Sequence, residues 1–328
     1  YAASPLYNTS NDKTKWTKAA EAAYELIGNA NELGIALDNS FANLFGATNY
    51  NSKEVILIRP TGTSKTFEQL NYPMGVTGGK TSTCPTENLA SAFEMKDGRA
   101  FDWNDATMKA NPYANRDPRF YLTIVHNGMA WPAKTAVDIS EGGANGLPKT
   151  NATTTGYYLR KYVNNSISFE AGSTTAATQH SWVLFRYAEI LLNYAEAMIN
   201  AYDDCNYTNS TCKMSALAAV NAVRGRNGIK MPAISGSLNA TDFLKTVKHE
   251  RRVEMAFEGQ RFWDLRRWKD LNDSKDIYAV KITKEGESVN YQKTLLESRS
   301  ISDKLYFYPI ANTERFKNSN LIQNPGWD

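Results

Sequence analysis

The sequence predicts a mainly α-helical fold in which tetratricopeptide-like hairpins form an α-α superhelix carrying a long irregular, loop-rich insertion. Three observations point there. Apolar residues recur at helical steps near the start of the chain and again from residue 181 to 271. The stretch between breaks into Gly, Asn, Thr and Pro clusters around short apolar runs. The later periodic segments come in pairs, as helical repeats do, although without a clean self-similar period.

Residues 1–33 read as the end of a set of helical repeats. YAASPL is expected to be the last turn of a helix stopped by Pro5, so that the chain begins inside an element. Trp16, Ala19, Ala20, Ala23, Leu26, Ile27 and Ala30 then mark one apolar face over residues 15–30. Residues 34–180 form the loop-rich region, with strands or buried extended pieces expected at 55–58 and 120–125. Long loops on a rigid scaffold commonly carry the ligand contacts, which makes this region the expected binding part.

Residues 181–275 return to helical spacing. A helix is expected from Ser181, with Leu184, Ala188, Leu191, Ala195 and Met198 on its buried stripe. Its partner spans 215–227 and is capped at Gly228. A second hairpin runs from Asn239 or Thr241 to Phe257, breaks at Gly259, and continues from Gln260 to Leu271. Residues 276–328 read as an extended tail, strand-like at LYFYPI (304–310).

Composition narrows the function. The chain has 328 residues, 42% of them apolar, enough for a sizeable core. A formal charge of +3 from 37 basic and 34 acidic side chains leaves no electrostatic footprint for nucleic acid. The stronger bias is 18 Tyr, 13 Phe and 7 Trp among many amides and hydroxyls, a texture suited to an extracellular ligand-binding surface. No stretch reaches the roughly 20 apolar residues of a membrane-spanning helix. Cys84, Cys205 and Cys212 lack zinc-ribbon spacing. Cys205 and Cys212 fit either a disulfide closing a short loop or two free thiols, and the sequence leaves both open.

The motifs argue against catalysis. Residues 76–81 (VTGGKT) approach a phosphate-binding loop, but the required first glycine is Met74 and TSTCP follows where a helix is needed. His249-Glu250 opens a zincin pattern whose second ligand would be Val253. There is no G-x-S-x-G elbow, and neither metal nor cofactor is called for. In KHERRVEMAFEGQRFWDLRRWKDL (248–271), acids alternate with bases beside Trp263 and Trp268. That pattern predicts a structural ion-pair network of Glu250, Arg251, Glu254, Arg261 and Asp264, with the aromatics buried, in preference to a nucleic-acid helix.

This segment, together with SWVLFRYAEILLNYAEA (181–197), VNAVRGRNG (220–228) and the closing QNPGW (323–327), resembles the SusD/RagB family of outer-membrane nutrient-binding lipoproteins of Bacteroidetes. PTENLASAFEMKDG (85–98) and NPYANRDPRFYLTIVHNG (111–128) are similar to the family's central part. The resemblance implies a non-catalytic cell-surface protein that captures oligosaccharide, or sometimes peptide, for a SusC-like TonB-dependent outer-membrane transporter. It implies too a longer N-terminal region with signal peptide and lipid-bearing cysteine; membrane contact is expected through that lipid alone.

Sugar capture needs aromatic faces for pyranose rings and polar groups for the hydroxyls. In the loop-rich region the candidates are Tyr72, Trp103, Tyr113 and Trp131, with Asn71 and Lys80 as polar neighbours; a packing role competes for each. Tyr72, in a Gly- and Thr-rich loop, ranks first. The alternative function is a helical-repeat scaffold that binds a peptide or partner protein, with a glycan hydrolase as the third class.

Overall fold

The computed structural model describes residues 1–130 and 136–327. Residues 1–7 form hydrogen-bonded turns instead of the expected helix end, with Ser4 and Tyr7 amides donating to the Tyr1 and Ser4 carbonyls. Helix α1 (Lys13–Gly28) follows, started by Asp12, whose carboxylate accepts from the Thr14 amide at 2.9 Å. It buries Trp16, Ala20 and Ile27.

Strand β1 (Val55–Ser64) confirms the expected extended run and lengthens it, before short helices α2 (Thr66–Asn71), α3 (Glu87–Ala90), α4 (Ala106–Ala110) and α5 (Pro118–Thr123). The strand expected at 120–125 is therefore helix for most of its length. Asp117 caps α5 and Pro118 occupies its first turn, a start signal that outweighs the apolar run behind it. Only Ile124–Val125 (β2) is extended, paired with Tyr158–Leu159 (β3).

The helix expected from Ser181 starts later. Thr178–Arg186 form strand β4, antiparallel to β1 with Leu57 opposite Phe185 and Ile58 opposite Val183. Helix α6 (Tyr187–Tyr202) is buried on nearly every side, from Ala188 to Ala201, and forms the centre of the helical core. It ends at Asp203 in the left-handed conformation. Helix α1 packs on it from one side, α7 (Ala216–Arg224) and α8 (Ala240–Glu254) from the others, as tetratricopeptide-like hairpins do. Ser215 and Asn239 cap α7 and α8 through the Ala218 and Asp242 amides at 3.1 and 2.9 Å. Helix α7 ends three residues earlier than expected, and Gly228 lies beyond it in a left-handed turn. Cys205 and Cys212 are separate buried thiols.

After α9 (Arg261–Arg267) the chain forms a hairpin of β5 (Asp276–Glu285) and β6 (Ser288–Ser298), which the reading of an extended tail did not separate out. Val280 and Ile282 of β5 join a second, aromatic-rich core with Tyr72, Phe93, Tyr113, Phe120, Tyr157 and Tyr158. LYFYPI is no strand: Asp303–Tyr306 form a single 3-10 turn, and a short helix α10 (Asn312–Lys317) follows.

Buried ion pairs join the two cores. Arg119 of α5 contacts Asp117, Glu250 and Glu254. Arg186, at the end of β4, reaches Glu54, Glu254 and Glu258 at 2.6–2.7 Å. Arg224 bridges Glu250 and Glu94, Arg226 bridges Glu54 and Glu254, and Lys161 meets Glu258. A second set links Arg251 to Asp264 and Glu189, and Arg267 to Asp264 and Glu196. The expected network is thus present around Glu250, Arg251, Glu254 and Asp264, but Arg261 lies outside it, paired with exposed Asp273 at 3.2 Å.

Burial pushes the Glu250, Glu254 and Glu258 carboxyls up, yet the surrounding guanidinium groups outweigh it and hold all three below the ordinary value of 4.5. The unfolded chain takes up protons that these folded carboxylates refuse, so their contribution is complete above pH 4.5 and is lost as pH falls below it. Glu87 and Glu189, raised by burial, act in the opposite sense. With the arginine-bound carboxylates dominant, denaturant titrations should show an unfolding midpoint that declines on acidification below pH 4.5. A midpoint that climbs there would contradict the ionised network.

Candidate functional site

The structure places three of the five described candidates inside the protein. Tyr72 is 1% exposed, its ring meets Phe169 edge-on, and its hydroxyl donates to the Asn164 and Ile167 carbonyls at 2.7 and 2.8 Å. Tyr113 is 6% exposed and stacks on His126 at 4.4 Å. Asn71 is buried and donates to the Phe67 carbonyl. These three do not fit a ligand-contact role, because all of them are buried.

Trp103 is half-buried, with its indole N–H donated to Glu87 at 2.7 Å and its ring edge-on to Phe101. Among the described candidates Lys80 alone is exposed. Trp131 lies outside the described residues. Tyr72→Ala should therefore lower stability by about 3–5 kcal/mol, as for other buried aromatics, and remove the hydroxyl that the Asn164 and Ile167 carbonyls share. Unchanged thermal unfolding of that variant would contradict the buried placement.

A different set of aromatics faces solvent. On α9, Asp264, Leu265, Arg267 and Trp268 turn inward, where Trp268 donates to Glu196 and Arg267 pairs with the same carboxylate. That orientation leaves Phe262, Trp263 and Arg266 on the outer face, with Phe262 40% and Trp263 48% exposed. The expectation that Phe262 and Trp263 are buried with Leu265 and Trp268 is corrected for the first two: five residues separate Trp263 from Trp268, which on a helix is roughly 140° of rotation, and Phe262 lies on the same outer face as Trp263.

Tyr308, 57% exposed, completes the group. Its ring stands 5.8 Å from Phe262 and nearly parallel at 29°, and 6.2 Å from Trp263. The Arg266 guanidinium covers the Phe262 ring at 3.4 Å and lies 5.7 Å from Tyr308.

The closing QNPGW motif holds Tyr308 in place. Asn324 donates to the Tyr308 carbonyl at 2.6 Å, Gln323 brackets Ile310 through both backbone groups, and the Trp327 indole donates to the Lys304 carbonyl at 2.9 Å. Gly326 adopts φ +80°, with the Lys304 Cβ 2.8 Å from where its own Cβ would stand, so only glycine fits this turn without displacement.

Beside this platform is a cavity of about 460 Å³, within the size range of small-molecule sites. Phe262 is shared by platform and cavity, and Leu89, Leu265 and Ile277 supply apolar wall. Arg252, Arg261 and Asp273 supply its charge. Cys84 lies in the same wall with its thiol pushed up by burial, which favours the neutral form. Among the described residues no group of histidine, cysteine and carboxylate side chains stands at metal-ligand spacing. The arrangement can stack and hydrogen-bond a ligand.

Known proteins share this architecture. A solved SusD-like carbohydrate-binding protein from Bacteroides fragilis superposes with a TM-score of 0.74 at 26% identity, over 94% of this chain and 61% of its own. A second solved SusD-like protein from the same species gives 0.73 at 26% identity, over 94% and 62%. SusD-like protein P2 of Formosa agariphila is 25% identical over 98% of this chain and 57% of its own length. The chain thus spans about 57–62% of the length of these relatives. The SusD family model matches residues 46–327, and the chain belongs to the SusD family.

Proposed function

We propose that this chain captures oligosaccharide at the cell surface without altering it and delivers it to a SusC-like TonB-dependent transporter of the outer membrane. The observation that carries this reading is the exposed platform of Phe262, Trp263 and Tyr308 beside a cavity, in a chain whose family includes a solved carbohydrate-binding protein. Sugar rings offer C–H faces to such aromatics, while Arg266 and the cavity's polar groups suit the hydroxyls. Affinity should be modest, because a sugar gives up many water contacts and a delivering protein must let go.

The buried position of Tyr72, Tyr113 and Asn71 moves the proposed contact surface from the loop-rich region to α9 and the C-terminal tail. Anchoring through an N-terminal lipid, and a surface-exposed outer-membrane location, belong to the same proposal. The transporter partnership is tested by purifying the native protein from detergent-solubilised outer membrane. A TonB-dependent transporter in near-equal amount is the expected result, and a protein recovered without one would oppose delivery.

A further inference from the structure

The cavity under Phe262 contains a cation the fold does not neutralise. The buried arginines Arg119, Arg186, Arg224, Arg226, Arg251 and Arg267 each meet a carboxylate within 4 Å. Arg116, which meets none, gives its guanidinium to three backbone carbonyls. Arg252 has neither arrangement: among the described residues its guanidinium makes one hydrogen bond, to the Asn88 carbonyl at 2.8 Å, and no carboxylate lies within salt-bridge distance.

Burial and the repulsion of Arg261 push the Arg252 group down to about 10, with Asp273 only partly offsetting them. Asp273 pairs with Arg261 at 3.2 Å, so one acid faces two cations in the wall. Arg252 is half-buried in the cavity wall with no anion beside its guanidinium, and an anionic ligand in the cavity would supply one.

We infer that this cavity is a subsite for an acidic sugar, the guanidinium of Arg252 taking the carboxylate or sulfate and the apolar wall of Leu89, Phe262, Leu265 and Ile277 packing against the ring. The inference rests on the glycan-capture reading and names the class of glycan. A guanidinium presents a planar fork of N–H donors that matches a carboxylate, and a sulfate ester offers the same charge and acceptors. A neutral sugar in the cavity would leave Arg252 unpaired, so acidic glycans are selected twice, by attraction and by the cost of leaving the cation alone.

The test is calorimetric titration with matched pairs: oligogalacturonides and their methyl esters, glucuronoxylan oligosaccharides and their esters, and sulfated galactan oligosaccharides with their desulfated forms. At least one acidic member should bind about tenfold tighter than its neutral partner. Comparison of the uronate and sulfate arms identifies which anion the subsite takes. Arg252→Gln should bring that acidic member down to the level of its neutral partner, whereas Arg252→Lys should retain part of the preference. Because Arg252 has no carboxylate partner, Arg252→Gln should also unfold at or above the wild-type temperature, which keeps the comparison on folded protein. Trp263→Ala, by contrast, should weaken both members of a pair. Equal binding of acid and neutral partners, or an acid preference that survives Arg252→Gln, would overturn the acidic subsite while leaving glycan capture standing. Binding of no saccharide in either form would overturn both.

Discussion

Glu254→Ala is expected to destabilise the protein by about 3–5 kcal/mol, the usual cost of removing one member of a buried charge pair. Glu254 is fully buried on α8, and its carboxylate meets Arg119, Arg186 and Arg226, which come from α5, β4 and the loop after α7. After its removal Arg119 retains Asp117 and Glu250, Arg186 retains Glu54 and Glu258, and Arg226 retains Glu54 alone. Arg226 is 5% exposed, so water cannot replace the lost partner, and the charge left behind dominates the loss. Arg251→Ala should be similarly costly through Asp264. Arg261→Ala should cost less than about 1 kcal/mol, since its pair with Asp273 is exposed. Equilibrium denaturation of the three variants checks the ordering; equal, small effects would mean that the network does not hold the two cores together.

Trp263→Ala and Tyr308→Ala should each weaken glycan binding by roughly fivefold to thirtyfold, as truncating an aromatic anchor costs on the order of 1–2 kcal/mol. Both side chains are about half exposed, so the unfolding midpoint should stay within about 0.5 kcal/mol of wild type. This separation of binding from stability distinguishes the platform from Tyr72, where alanine would damage the core. The double variant should lose more than either alone, since Phe262 is left as the sole ring of the group. Affinity unchanged in the double variant would move the contact surface elsewhere on the protein.

The helical half was legible because its signals are local. The Asn239 cap, the apolar steps of α8 and the break at Gly259, where φ is +79°, lie within one stretch of chain. Strand β4 was read as helix because what makes it a strand is β1, more than 100 residues earlier, and spacing inside 181–186 carries no trace of that partner. The same limit hid the burial of Tyr72: a Gly- and Thr-rich loop reads as surface, and the carbonyls that receive its hydroxyl belong to Asn164 and Ile167. Most of the ion network could not be assembled either, since Arg119, Arg186 and Glu54 come from distant segments with no shared period.

The platform was partly readable. Phe262, Trp263 and Arg266 share one face of α9 at steps of one and four, opposite Asp264, Leu265 and Trp268, and a phase argument separates them. Tyr308 was not accessible in this way, because the contacts of Asn324 and Gln323 that hold it depend on the tail folding back on itself.

Capture without turnover is tested most directly by calorimetric titration of a glycan panel, followed by chromatography of each bound glycan after prolonged incubation with the protein. Saturable binding of at least one oligosaccharide, recovered at its original length, is the predicted result. Failure to bind any glycan, or steady accumulation of new reducing ends, would contradict it.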